Sequence, residues 1–278
     1  MKNIFYFILF LTSITNAQNV IKGTMNPKFN SDWVILYKIE GTKQVFVGNT
    51  TLKKDSIAVN GKKQAVSRFE FTLKPKAKPG AYRISFKTDG AGFLDFFYNK
   101  ENVTFTFNPD YPDQTVTFSK SVENKLYREY IDAISKAQAI LDSIQITALQ
   151  NPKLDLKVSY KKAYNKVITI QNKYVESSKE KYIAPIVRAN IQENSPEILT
   201  SIDSYLFTIK DCFFNNLDFT EKTLVNSSFL TDRIVSYIFY INYSDDDRTQ
   251  QKLYKESIDI VLSHIKSLPY KKNIIEFL

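Results

Sequence analysis

The sequence predicts an α+β fold in two segregated halves: an N-terminal antiparallel β-sandwich, then an all-α domain. Two observations carry that prediction. Residues 18–118 alternate apolar and polar side chains with period two, while apolar residues from 119 onward recur every three or four positions. Turn-forming residues also punctuate the first half at the short spacing of sandwich strands and become sparse in the second. The chain has 278 residues, of which 43% are hydrophobic and 14% aromatic. That is enough apolar material for two cores. Only 7 Gly and 9 Pro are present, which leaves little for flexible linkers.

Residues 1–17 have the form of an export signal. Lys2 gives the positive start, residues 4–14 the apolar run, and Thr15-Asn16-Ala17 a small-residue cleavage site before Gln18. The run falls short of the ~20 residues of a membrane-spanning helix. No cysteine follows it, so a lipid-modified N-terminus is not supported. The expected mature chain has no transmembrane segment and works outside the cytoplasm.

In the first half, Trp33, Ile35, Tyr37 and Ile39 share one strand face. Phe69, Phe71 and Leu73 alternate with Arg68, Glu70 and Thr72. Tyr82, Ile84 and Phe86, then Val103, Phe105 and Phe107, repeat the pattern. Turns are expected at Asn26-Pro27, Glu40-Gly41, Asn60-Gly61, Pro79-Gly80, Asp89-Gly90, Asn99-Lys100 and between Pro109 and Pro112. The stretch Phe93-Leu94-Asp95-Phe96-Phe97-Tyr98 is apolar on both faces, as a strand covered from two sides would be. Its cover is either the helical half or a partner.

Formal charge is +9, and +6 of it falls in residues 18–118. The cations there are mostly scattered lysines rather than arginine forks, which argues for solvated strand ends near an anionic envelope surface and against a nucleic-acid partner.

The second half opens with the clearest helix, residues 122–148. Val122, Leu126, Tyr130, Ile134, Ala137, Leu141 and Ile144 lie along one side of it. Asn151-Pro152 ends it, and a second helix over about residues 154–179 folds back as an antiparallel partner. A short helix is expected over residues 185–193. Ser195-Pro196-Glu197 reads as the start of another, carrying Ile198, Ile202, Leu206 and Ile209 toward Cys212. A helix from Thr220-Glu221 buries Leu224, Phe229, Ile234 and Tyr237. A last long helix carries Leu253, Ile258, Val261 and His264, and Leu268-Pro269 interrupts before the final apolar segment. A helical bundle and an irregular helical-repeat array fit this pattern equally.

Little in the chain points to catalysis. Cys212 is the sole cysteine, so there is no internal disulfide and no CxxC pair, and it reads as a buried, inert thiol. His264 is the sole histidine, too little for a zinc site or a Ser-His-Asp triad. Asp245-Asp246-Asp247 lacks the spacing of a calcium loop and reads as a helix cap. Asp89-Gly90-Ala91-Gly92 lacks the Lys and Ser/Thr of a phosphate loop. No catalytic, cofactor-binding or metal-binding residue is therefore expected, and no cofactor.

Phe213-Phe214, Leu217-Asp218-Phe219, Thr223-Leu224, Ser227-Ser228-Phe229-Leu230 and the segment from Ile234 to Tyr237 resemble the helical segment of exported thioredoxin-like proteins. Residues 20–109, from Val20-Ile21-Lys22-Gly23-Thr24 onward, are similar to that family's N-terminal β-module. The resemblance implies the periplasm or cell envelope of a Gram-negative bacterium. It also implies association with a thioredoxin-like thiol–disulfide oxidoreductase domain or another envelope protein. The family's Cys-x-x-Cys has no counterpart here, so none of its catalytic residues carries over.

Three functions follow as expectations. The first is a non-catalytic envelope scaffold with domains 18–118 and 119–278, the second expected to be truncated at its C-terminal end. The second is the N-terminal fragment of an oxidoreductase whose CxxC domain lies beyond Leu278. The third is a small-ligand-binding module built on the aromatic strand. The candidate interaction patch comprises Phe93, Phe96, Phe97, Tyr98, Ile274, Ile275, Phe277 and Leu278.

Overall fold

The computed structural model describes residues 19–59, 61–87 and 92–278. The export signal with its Ala17–Gln18 cleavage site, Asn60, and Asp89, Gly90 and Ala91 lie outside the described residues.

Strands β1 (Val20–Met25), β2 (Trp33–Glu40), β3 (Lys43–Thr51), β4 (Lys53–Val59), β5 (Lys62–Thr72), β6 (Gly80–Ser85), β7 (Phe93–Tyr98) and β8 (Val103–Phe107) come first. A single turn of helix, α1 (Pro112–Thr115), separates them from β9 (Thr117–Lys120). One sheet has the order β4-β5-β1-β8-β9, the other β3-β2-β6-β7. Strand pairs among the described residues are antiparallel except β1 with β8, which run parallel. That departure has a topological cause: the chain visits the other sheet between β1 and β8 and returns in the same direction.

The alternation places one apolar face of each sheet in a common cluster. Ile21, Met25, Phe69, Phe71, Val103, Phe105 and Phe107 meet Val34, Leu36, Tyr82, Ile84, Leu94 and Phe96 there. The Phe105 ring lies 6.0 Å from Phe69, 5.5 Å from Phe96 and 5.6 Å from Phe118. Gly23 is required at its place in β1, because a Cβ there would come within 2.0 Å of the Phe69 ring. In β2 the inter-sheet face is Val34 and Leu36, whereas Trp33, Ile35 and Tyr37 are partly buried on the opposite face.

That opposite face receives the helices. Ile39, Ala81 and Phe97 belong to the helical apolar cluster, so the second core includes part of a sheet. The helices are α2 (Val122–Gln150), α3 (Lys157–Ser178), α4 (Ala184–Ala189), α5 (Ile202–Asp211), α6 (Lys222–Val225), α7 (Ser228–Ser236), α8 (Asp247–His264) and α9 (Leu268–Phe277). A π-helical turn, Tyr237–Ile241, continues α7. Tyr130 near the start of α2 meets Tyr174 near the end of α3 at 5.3 Å, so the pair runs antiparallel.

Several helix expectations change. Val122 is 58% exposed, and Glu123 and Asn124 are buried in its place. Ser195-Pro196-Glu197 starts no helix. The Ser195 hydroxyl accepts the Glu197 N–H, and the Gln145 amide holds both backbone groups of Leu199 at 2.9 Å. With the backbone pinned there, α5 begins at Ile202, capped by Ser201. Ile202 and Leu206 on α5 are exposed. The helix expected from Thr220-Glu221 is divided into α6 and α7 around Asn226 and Ser227, and Pro269 sits in the first turn of α9, where its missing N–H costs nothing. Asp246 caps α8, accepting the Thr249 N–H at 2.8 Å. No described helix is long and apolar enough to cross a membrane.

Candidate functional site

The sheet–helix junction is built around β7, the outer strand of its sheet. Leu94, Phe96 and Tyr98 point into the inter-sheet cluster, while Phe97 points into the helical one. An outer strand leaves backbone groups unpaired, and here a side chain answers them. Asn124 accepts the Phe97 N–H at 2.8 Å and donates to the Phe97 carbonyl at 2.6 Å. Its neighbour Glu123 accepts the N–H groups of Tyr182 and Ile183, both at 3.1 Å, and the Asn99 amide at 2.9 Å. Glu101 takes the Ser121 hydroxyl at 2.6 Å and the Val122 N–H at 2.9 Å. These bonds explain why the first turn of α2 turns polar residues inward: each is satisfied by backbone distant in the chain.

Beside this clamp lies a cleft of about 390 Å³, bounded by β7, α1, α2 and α7. Phe93, Phe97, Val116, Tyr127, Ile131 and Phe229 supply its apolar walls. Asp95 interrupts the apolar run of β7 because Arg83 sits opposite it in register on β6. The Arg83 guanidinium donates to both Asp95 oxygens, at 2.6 and 2.8 Å, and lies 3.8 Å over the Phe93 ring. Ser228, the first residue of α7, donates its hydroxyl to the same carboxylate and so ties sheet to helix. Arg128 on α2 donates to the carbonyls of Asp113 and Gln114 and pairs with Asp132 at 3.1 Å.

Asp113 and Asp232 also face this cleft, and neither side chain has a hydrogen bond or ion pair among the described residues. Loss of water at the cleft wall, and then the Asp95 charge, raise the Asp113 carboxyl against the pull of Arg83 and Arg128. The same desolvation, with Asp95 and Asp113 as like charges, pushes Asp232 up to about 6. Burial alone would lower Arg83, but its bond and charge interaction with Asp95 raise it. Burial pushes the Tyr127 hydroxyl up to about 12. The cleft therefore offers apolar walls, a neutralised internal ion pair and two uncommitted carboxyls, one of which exchanges a proton near neutral pH.

Of the sequence-predicted patch, Phe93, Phe96 and Phe97 line this cleft. Phe96 and Tyr98 are nevertheless filled into the inter-sheet cluster, and Ile274 is buried among the helices. These residues form no continuous surface patch, because strand alternation and helix periodicity turn them inward. Ile275, Phe277 and Leu278 remain exposed.

Cys212 is half-buried rather than buried. Desolvation and the adjacent Glu193 push its thiol up, away from the reactive thiolate. His264 stacks on Phe219 with ring centres 5.4 Å apart. No group of three or more potential metal ligands occurs among the described residues.

Arg83, Asp113, Asn124, Arg128, Ser228 and Asp232 are not among the site residues expected from the sequence. A signal existed for one pair only: an acid inside an apolar strand, opposite an arginine on the neighbouring strand. No family model, curated protein or solved structure matches this chain.

Proposed function

We propose that this protein is a small-ligand-binding module rather than a catalyst, with the sheet–helix cleft as its site. The observation that carries the reading is the cleft's construction. Four elements, from β7 to α7, converge on about 390 Å³ lined by aromatic side chains with a few fixed polar groups. Binding pockets typically span roughly 300–1,000 Å³ with that lining. In this reading the described strands form a two-sheet sandwich and the helices are a third layer, locked to it by Asn124, Glu123 and Ser228. The setting we propose is the periplasm or cell envelope, reached by the export signal in residues 1–17.

Ile131→Trp tests the site. Ile131 is half-buried on the cleft wall, and the larger ring fills the space without breaking a polar contact. A small-molecule library that raises the melting temperature of the native protein should lose that effect with the variant. Retained stabilisation of the variant would place the ligand elsewhere and remove this reading.

A second reading rests on the exposed Ile275 and Phe277 of α9 and on Leu278, which follows it. These exposed apolar side chains suit contact with a thioredoxin-like domain or another envelope protein, joined in the same chain or supplied separately. A mixture in which such a domain leaves Phe277 fully accessible to solvent would count against it.

A further inference from the structure

We infer that the cleft takes an organic cation: an ammonium group carried on an aromatic or branched apolar body. The inference rests on the cleft being a binding site and adds the chemistry of what enters it. The cavity's own charge pattern decides the class. Arg83 commits its Nε and one Nη to Asp95, and Arg128 spends its donors on Asp132 and two carbonyls. Each arginine's charge is already met by a carboxylate, and Arg83 is not among the residues that line the cavity. Asp113 and Asp232 face the same cavity with no partner among the described residues.

The charged residues lining the cavity are Arg128, Asp95, Asp113 and Asp232, and with the ion-pair partners Arg83 and Asp132 they make two cations against four carboxylates. Acid exceeds base by two. An ammonium group entering beside Asp113 and Asp232 offsets the lost hydration and the like charge of Asp95, which raise both carboxyls. A bare divalent ion needs several converging oxygens, and these carboxyls form no such group. A single ammonium needs only one or two acceptors. The rest of the ligand is then set by Phe97, Tyr127, Ile131 and Phe229, which offer ring faces and aliphatic surface but no further charge. The Arg83–Phe93 stack shows that a cation over an aromatic face is already accommodated in this wall.

The test compares three probes with one aromatic body and different head groups: 2-phenylethylamine, 2-phenylethanol and 3-phenylpropionate. Each is titrated into the full chain at pH 7.5 and followed by protein-observed NMR. The amine should bind about tenfold more tightly than the alcohol, a difference of about 1.4 kcal/mol, with the carboxylate weakest. Its advantage should shrink at pH 5, where Asp232 carries a proton. The double variant Asp113→Asn, Asp232→Asn should bring the amine close to the alcohol at pH 7.5. Equal affinity for amine and alcohol, or preference for the carboxylate, overturns the cation assignment while leaving the cleft a binding site. Failure of all three probes to shift any cleft resonance overturns the cleft reading and the cation assignment together.

Discussion

The space between the two sheets and the space between the second sheet and the helices solve the same packing problem differently. The first is closed by side chains alone. Phe105 touches rings from both sheets, Gly23 makes room for Phe69, and the cluster is almost wholly apolar. The second is fastened by directed polar contacts, with Asn124 on the Phe97 backbone, Glu123 on two N–H groups and Ser228 on Asp95. Apolar packing is non-directional and fills its space. Hydrogen-bonded anchors fix geometry at a few points and leave room between them. The cleft lies in that second space for this reason.

The contrast breaks most visibly at Phe105. Phe105→Ala empties a site 1% exposed and should cost about 3–5 kcal/mol, measured by urea unfolding. A loss below ~1 kcal/mol would show that the inter-sheet space is not tightly filled.

Asn124→Ala should cost less, about 1–3 kcal/mol, because it strands two backbone groups rather than emptying a core. Its signature is local. The Phe97 amide should exchange with solvent faster than its neighbours in β7, and Phe105→Ala should not single it out. Uniform exchange across β7 in the Asn124 variant would deny the clamp.

The smallest effect belongs to Asp232. Its carboxyl is raised from 3.8 to about 6 in the folded state. Between those values the native protein holds a proton that the unfolded chain releases, so stability falls as pH rises through that window. Asp232→Asn removes this loss. The melting temperature at pH 7.5 should rise by about 1–3 °C, and the slope between pH 4 and 6 should flatten. The group is exposed as a residue, which keeps the effect small. A lower melting temperature in the variant would mean that the ionised carboxylate is stabilising.

Strand alternation and helix periodicity made most of the elements legible, including the double-sided cover of β7. Their reach is local, and the misreadings share that cause. Glu123 and Asn124 look like a solvated first turn until Tyr182 and Phe97 arrive from other parts of the chain. Ser195-Pro196-Glu197 has helix-start chemistry, yet Gln145, 54 residues earlier in the chain, holds Leu199 outside a helix. The cleft was the least legible part, since Asp95, Asp113, Arg128 and Asp232 come from four separate elements. Only the Arg83–Asp95 pair, opposed on adjacent strands, left a mark that sequence can show.

The central claim is that the working surface is the cleft beside β7. It is tested most directly by mapping the backbone amides that shift when 2-phenylethylamine is titrated into the native chain. The account predicts saturable shifts at Leu94, Phe97, Tyr127, Ser228 and Asp232, with α9 unmoved. Shifts confined to Ile275, Phe277 and Leu278, or spread without saturation over the surface, would contradict it.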